Sequence, residues 1–156
     1  MGTNVPNTDG AGPFDLERFV AAQSSEYDRA LAEIRSGRKQ THWMWYVFPQ
    51  IEGLGQSEIS RRFAIRGLEE ARAYLAHPVL GPRLRESVEA VLAVRGRTAA
   101  EIFGYPDVLK LQSCATLFAL VSPPGSVFER VLDQCYQGQR DKNTLRLVGD
   151  TSGSDG

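Results

Sequence analysis

Apolar residues recur every three or four positions along most of this chain, which is the spacing of one face of an α-helix. The first stripe runs from Leu16 to Ile34 and predicts one long helix, with Asp15 as its N-cap and Gly37 at its C-terminal end. Further stripes predict helices from Ser57 onward, over 68–76 before a His-Pro step, over 84–92, over 107–121 and after position 141.

Capping boxes mark two helix starts in the second half of the chain. Thr98 is followed three residues later by Glu101, and Ser126 by Glu129, so each pair can satisfy free N–H groups. Only the segment 45–51 shows a hint of a strand, and its proline argues against a central strand. The sequence therefore predicts a mainly α fold, a single compact multihelical domain with at most a minor strand element.

The length and the two ends of the chain define the expected domain. A chain of 156 residues suits one domain with a substantial core. The segments 1–13 and 151–156 are rich in small and polar residues with little to bury, so both are predicted to be disordered tails. The single helical domain is then expected over 14–150.

Charge and motif content exclude several classes of function. A net charge of −1 and a pI near 6.1 provide no overall attraction to nucleic acid or to an anionic membrane. There is neither a stretch of about 18 apolar residues nor a signal-peptide pattern, so a cytoplasmic protein is expected. The two cysteines lack metal-site or CxxC spacing, and no glycine-rich nucleotide-binding motif is present, so no metal and no cofactor are expected.

The segment 37–57, GRKQTHWMWYVFPQIEGLGQS, contains both tryptophans and one of the two histidines of the chain. Large aromatic side chains often fill the space between helices, so the segment can be a plug in the core. It can equally line a ligand pocket, where an indole stacks on a ring, and Gly53 and Gly55 let the backbone approach a ligand. Both interpretations remain open from the sequence.

The pocket interpretation defines a set of candidate site residues. Catalysis would rest on His42, which can exchange a proton near neutral pH, and on Asp107, which can hold a ribose hydroxyl or orient water. Glu52 is a further carboxylate for that role. Asp107 and Lys110 are also spaced as an ordinary i,i+3 ion pair. Stacking, amide recognition and phosphate binding define the ligand-binding candidates, which are Lys39, Trp43, Trp45, Gln50, Arg61, Arg62 and Lys110.

Several stretches, among them DLERFVAAQ, HWMWYVFPQ, AYLAHPVLG and EIFGYPDVLKLQSCATLF, resemble the domain-of-unknown-function 1810 family over 14–148. This resemblance implies a compact helical domain. Some members have been labelled calpastatin, but a disordered inhibitor would not show these periodic apolar stripes. Phe63 stands where a tyrosine is usual in the family. Val108 stands where a second acidic residue is common, which weakens a paired-carboxylate mechanism.

A fainter similarity, in the aromatic segment and the helical end, is to YbiA-like (NADAR) proteins, and it implies ADP-ribose or N-glycosidic chemistry. Three hypotheses follow. The first is binding or hydrolysis of a nucleotide-like ligand such as ADP-ribose. The alternative is a protein–protein interaction module. The third is nucleic-acid binding, which would need a basic stripe from Arg61 to Arg72 and is disfavoured by the near-neutral charge.

Overall fold

The structure is a computed structural model that describes residues 14–153, with side chains described up to Gly149. Its helices in chain order are α1 Glu17–Ser24, α2 Tyr27–Ser36, α3 Met44–Val47, α4 Glu58–Arg62, α5 Leu68–Ala76, α6 Leu80–Ala93, α7 Ala99–Phe103, α8 Asp107–Ala119, α9 Val127–Tyr136 and α10 Lys142–Gly153. The prediction of a mainly α fold is confirmed. The predicted disordered tail 1–13 lies outside the described residues, and α10 continues three residues beyond Asp150.

The first apolar stripe forms two helices, so the prediction of one long helix is wrong. Helix α1 ends at Ser24 and α2 begins at Tyr27. The Ser24 hydroxyl donates a hydrogen bond to the carbonyl of Ala21 at 2.9 Å. Serine side chains compete in this way with the helical backbone, and this weakens a helix locally. The apolar spacing continues across the break, because Phe19 of α1 and Tyr27 and Leu31 of α2 are all buried.

The suggestion of a strand at 45–51 is also wrong for its first half, which forms helix α3. Trp43, Val47 and Phe48 are buried at helical spacing, and this packing outweighs the β preference of the segment. After α3 the chain extends, and Ile51 and Ile65 form an isolated parallel bridge. Among the residues described, this bridge is the whole β content.

Several helix boundaries follow the local sequence signals closely. Helix α5 has the predicted bounds, and the capping box at Thr98 and Glu101 is complete, with bonds of 2.8 and 3.1 Å. At α9 the Ser126 hydroxyl accepts from the Glu129 N–H at 3.3 Å. The Glu129 carboxylate, however, accepts from Gly125 at 2.7 Å, one residue before the predicted position.

The core is one continuous cluster, and α8 runs through its middle. Nine of the thirteen α8 residues are buried. Helices α5, α7, α9 and α10 pack against α8, and α2 and α5 pack against α6. Rings extend this core across the helices, because Phe118 of α8 contacts Tyr74 of α5 and Phe128 of α9. Within 14–153, no helix combines the length and apolar character needed to cross a bilayer.

A buried ion pair between Arg18 and Glu70 fixes the segment that follows α4. The two side chains are 3.1 Å apart, with 10% and 1% of their surfaces exposed. The same guanidinium donates to the carbonyls of Arg62 at 2.7 Å and Ala64 at 2.8 Å. Arg18 therefore ties α1 to the backbone between α4 and α5, which forms one wall of the candidate site.

Candidate functional site

The loop between α2 and α3 is organised by Glu33, a buried carboxylate at the end of α2. One oxygen accepts from the N–H groups of Gln40 at 2.8 Å and Thr41 at 3.0 Å and from the Trp43 indole at 2.8 Å. The other accepts from the Thr41 hydroxyl at 2.7 Å. Burial acts to raise the pKa of the Glu33 carboxyl, but these hydrogen bonds outweigh it and lower the pKa to about 2.

Trp43 is a core residue in this structure. None of its surface is exposed, its indole N–H binds Glu33, and its ring meets Phe103 edge-on with centroids 6.4 Å apart. Stacking on a ligand requires an exposed ring face, and Trp43 presents none. The predicted stacking role of Trp43 is therefore corrected to core packing, as the plug interpretation required.

Lys39, Asp107, Lys110 and Trp45 lie together and are called here the Asp107 cluster. Lys39 Nζ is 2.8 Å from one Asp107 carboxylate oxygen, and Lys110 Nζ is 3.5 Å from the other. Lys110 Nζ also lies 5.0 Å from the centroid of the half-buried Trp45 ring. The main-chain N–H of Lys39 donates to the Ile102 carbonyl at 2.8 Å, which anchors the loop to α7.

Trp45 also lines a small open cleft, called here the Trp45 cleft. The cleft is shallow and encloses only about 20 Å³, which is room for about one water molecule. Its polar wall is formed by Gln50, Glu52, Ser60 and Arg61. Trp45 thus lies between the cleft and the Asp107 cluster, because this residue contributes to both.

Two glycines of the cleft have an intramolecular explanation. A Cβ at Gly55 would lie 2.5 Å from the side chain of Ser60, and one at Gly53 would lie 3.1 Å from Leu147. The backbone of Gly53 has a φ of +105°, which favours glycine. Packing within the chain, rather than the approach of a ligand, accounts for both residues.

The two remaining candidates are not part of these contacts. His42 is exposed, and its carbonyl accepts a bond from the Tyr46 hydroxyl at 3.3 Å. Arg62 is exposed and its guanidinium lies 5.4 Å from the centroid of the Phe63 ring, whereas its neighbour Arg61 lines the cleft. The structure therefore brings together Asp107, Lys39, Lys110, Trp45, Gln50 and Arg61.

Sequence reasoning did not find Glu33, although it positions the loop that carries Lys39. A usable signal was present, because Glu33 lies among Ala30, Leu31 and Ile34 on the buried face of α2. A carboxylate on an apolar face is buried only when other groups donate hydrogen bonds to it. The donors come from a later segment, so their identity was not readable from the helix.

These features define a compact α-helical domain with a half-buried cluster of charges beside an open cleft. The chain belongs to the family described as "Protein of unknown function (DUF1810)", whose model matches residues 13–148. It is also similar to the crystal structure of the conserved hypothetical protein Rv1873 from Mycobacterium tuberculosis. The two are 50% identical with a TM-score of 0.86, over 88% of this chain and 98% of that chain. No curated protein matched the chain.

Proposed function

We propose that this protein binds a small nucleotide-like ligand, such as ADP-ribose, on the surface centred on Trp45. The observation that carries the proposal is the position of this ring. Lys110 lies over it at 5.0 Å, and the ring also lines the cleft with Gln50 and Arg61. A half-buried indole between cationic side chains is suited to a ligand with a planar ring and phosphate groups.

The size of the cleft suggests how such a ligand would lie. Ligand pockets usually have volumes of about 300–1,000 Å³, whereas the Trp45 cleft encloses only about 20 Å³. One ring of the ligand would therefore lie on the exposed part of Trp45 at the mouth of the cleft, where Gln50 can recognise an amide or carbonyl edge. The phosphates would lie outside it, near Lys110 or Arg61.

Hydrolysis of an N-glycosidic bond is a further part of the proposal, and it follows from the resemblance to NADAR proteins inferred from the sequence. Glu52 is the exposed carboxylate of the cleft, and it would orient the attacking water. Both oxygens of Asp107 already contact ammonium groups, so this residue is not available to orient water. For a substrate such as NAD, water would attack the anomeric carbon of the nicotinamide ribose as the glycosidic bond breaks, which releases nicotinamide and ADP-ribose. Glu52→Gln should abolish this release, measured by chromatography, and leave ligand affinity unchanged.

Binding can be tested with two neighbouring arginines of α4. Titration of the purified protein with ADP-ribose should change the fluorescence of the half-buried Trp45, and ligand at 100 times Kd should raise the unfolding free energy by about 2.7 kcal/mol. Arg61→Gln should weaken binding, because Arg61 lines the cleft. Arg62→Gln is the matched control and should not. No response to ADP-ribose, NAD, nucleotides or sugar phosphates, or an equal loss in both variants, would contradict the proposal.

A second candidate function, docking of a partner protein, is favoured by two exposed apolar side chains near the start of α8. Tyr105 is 75% exposed and Leu109 is 50% exposed, four residues apart. Exposed aromatic and aliphatic groups of this kind are frequent at protein interfaces. If the protein docks a partner protein, cross-linking should capture that partner with Arg61→Gln but not with Tyr105→Ser. The reverse pattern would remove this candidate.

A further inference from the structure

We propose that Asp107 is an internal counter-ion, which in the ligand-free protein occupies the position that a phosphate group of the ligand takes beside Lys110. The inference rests on the proposed function and assigns a role to each charge of the Asp107 cluster. It also revises the role of Asp107 itself. In this arrangement Asp107 competes with the ligand, rather than holding one of its hydroxyl groups.

The charges of the Asp107 cluster do not balance. The carboxylate of Asp107 contacts the ammonium groups of both Lys39 and Lys110. Among residues 14–149, no other carboxylate lies within 4.0 Å of either ammonium. The three groups therefore carry one excess positive charge, while only 7–22% of each side chain is exposed. A partly desolvated positive charge without its own counter-ion attracts an anion.

The two ion pairs are unequal, which identifies the exchangeable one. The Lys39 pair is short, at 2.8 Å, and the Lys39 side chain is 7% exposed. The Lys110 pair is longer, at 3.5 Å, and the Lys110 side chain is 22% exposed. The longer and more exposed Lys110 pair is the weaker of the two, because the attraction between charges falls with distance and with access to water. The contact between Lys110 and Asp107 can therefore open while Lys39 keeps Asp107 in place.

The surroundings of Lys110 indicate what kind of ligand would open this contact. Its ammonium lies over the Trp45 ring, and Trp45 also borders the cleft. An anion bound to Lys110 would therefore lie next to a ligand ring placed on Trp45 at the mouth of the cleft. The ligand class is a ring-bearing phosphate ester, for which adenosine is the neutral counterpart.

The experiment measures the dissociation constants of ADP-ribose and adenosine by calorimetry for the wild type and three variants. Asp107→Asn removes the competing charge and should tighten ADP-ribose binding about three- to tenfold. The dissociation constant of adenosine should not change. Asp28→Asn makes the same charge change at an exposed position of α2 and should leave both constants unchanged. Lys110→Gln should weaken the binding of ADP-ribose and reduce the effect of salt on that binding.

The outcomes separate this inference from the proposed function. If the wild type and Asp107→Asn both fail to bind ADP-ribose, the proposed function fails and the inference fails with it. If the wild type binds ADP-ribose and Asp107→Asn binds it equally or more weakly, the inference alone is overturned. If thermal melting shows that Asp107→Asn does not fold, Lys110→Gln decides, because wild-type affinity in that variant overturns the inference.

Discussion

Glu33 shows how one buried side chain can control the geometry of a site that it does not itself line. Its carboxylate accepts four hydrogen bonds from three residues of the loop between α2 and α3. This loop carries Lys39, whose ammonium contacts Asp107 at 2.8 Å. Hydrogen bonds to an ionised carboxylate are stronger than those to a neutral amide. The charge of Glu33 therefore stabilises the loop conformation that places Lys39.

The lowered pKa of Glu33 predicts a specific dependence of stability on pH. A carboxyl whose folded pKa lies below its unfolded value stabilises the fold above the unfolded pKa, and this stabilisation is lost as the pH falls through the folded pKa. For Glu33 the loss should occur from about pH 5 down to about pH 2. Glu33→Gln should lower the unfolding free energy by about 2 kcal/mol at pH 7, and this difference from the wild type should shrink at pH 3.

Urea denaturation of both proteins at pH 7, 4 and 3 measures this effect. Glu89→Gln is a suitable control, because Glu89 forms an exposed ion pair with Arg130 at 3.0 Å, and exposed pairs contribute about 0–1 kcal/mol. A wild-type advantage over Glu33→Gln that is the same at pH 3 and pH 7 would show that the charge of Glu33 does not stabilise the loop.

At the scale of elements, the crossing of α5 and α6 depends on a close approach of backbone to backbone. The carbonyl oxygen of Leu75 in α5 would lie 2.1 Å from a Cβ at Gly81 in α6. His77 ends α5 and its Nδ1 accepts from the N–H of Val79 at 3.0 Å, so the connection is short and constrained.

The same substitution at two helical glycines should therefore have opposite effects on stability. Gly81→Ala should destabilise the protein by about 3 kcal/mol, because the added methyl group overlaps the Leu75 carbonyl. A Cβ at Gly149 in α10 would have no atom of the described residues within 4 Å, so Gly149→Ala should stabilise the protein by about 0.5 kcal/mol through helix propensity. Thermal unfolding followed by circular dichroism measures both. An unchanged melting temperature for Gly81→Ala would exclude the tight crossing.

For the molecule as a whole, one hydrophobic core joins elements from both ends of the described chain. Leu16, before α1, and Val148, in α10, belong to the same cluster as the buried face of α8. A domain of this size with one core usually unfolds in a single cooperative transition. We therefore expect the helical signal and the fluorescence of the tryptophans to be lost together.

Two leucines of α8 test this cooperativity. Leu111 is fully buried, and Leu111→Ala should lower the unfolding free energy by about 2–5 kcal/mol and shift the helical and fluorescence transitions equally. Leu109 is 50% exposed on the same helix, so Leu109→Ala should shift both transitions by much less. Separate midpoints for the two probes would contradict the expectation that the described chain unfolds as one unit.

The sequence by itself determined most of the helices, because a helix is stabilised by contacts between residues a few positions apart. The apolar stripes, the serine at 57, the capping box at Thr98 and the His-Pro step all act within a few residues, and the structure has helix boundaries at these points. The ion pair of Asp107 with Lys110 also follows from helical spacing. These features together were sufficient to predict the mainly α fold.

Only the tertiary structure decided which aromatic residues are buried and which charges meet. Trp43 and Trp45 are two positions apart, yet one is enclosed by Phe48 and Phe103 while the other borders an open cleft. Lys39 reaches Asp107 because the first residue of α8 lies against the loop after α2, and no local pattern encodes that contact. Packing of distant segments sets both results, since it minimises exposed apolar area over the whole chain rather than within any one helix.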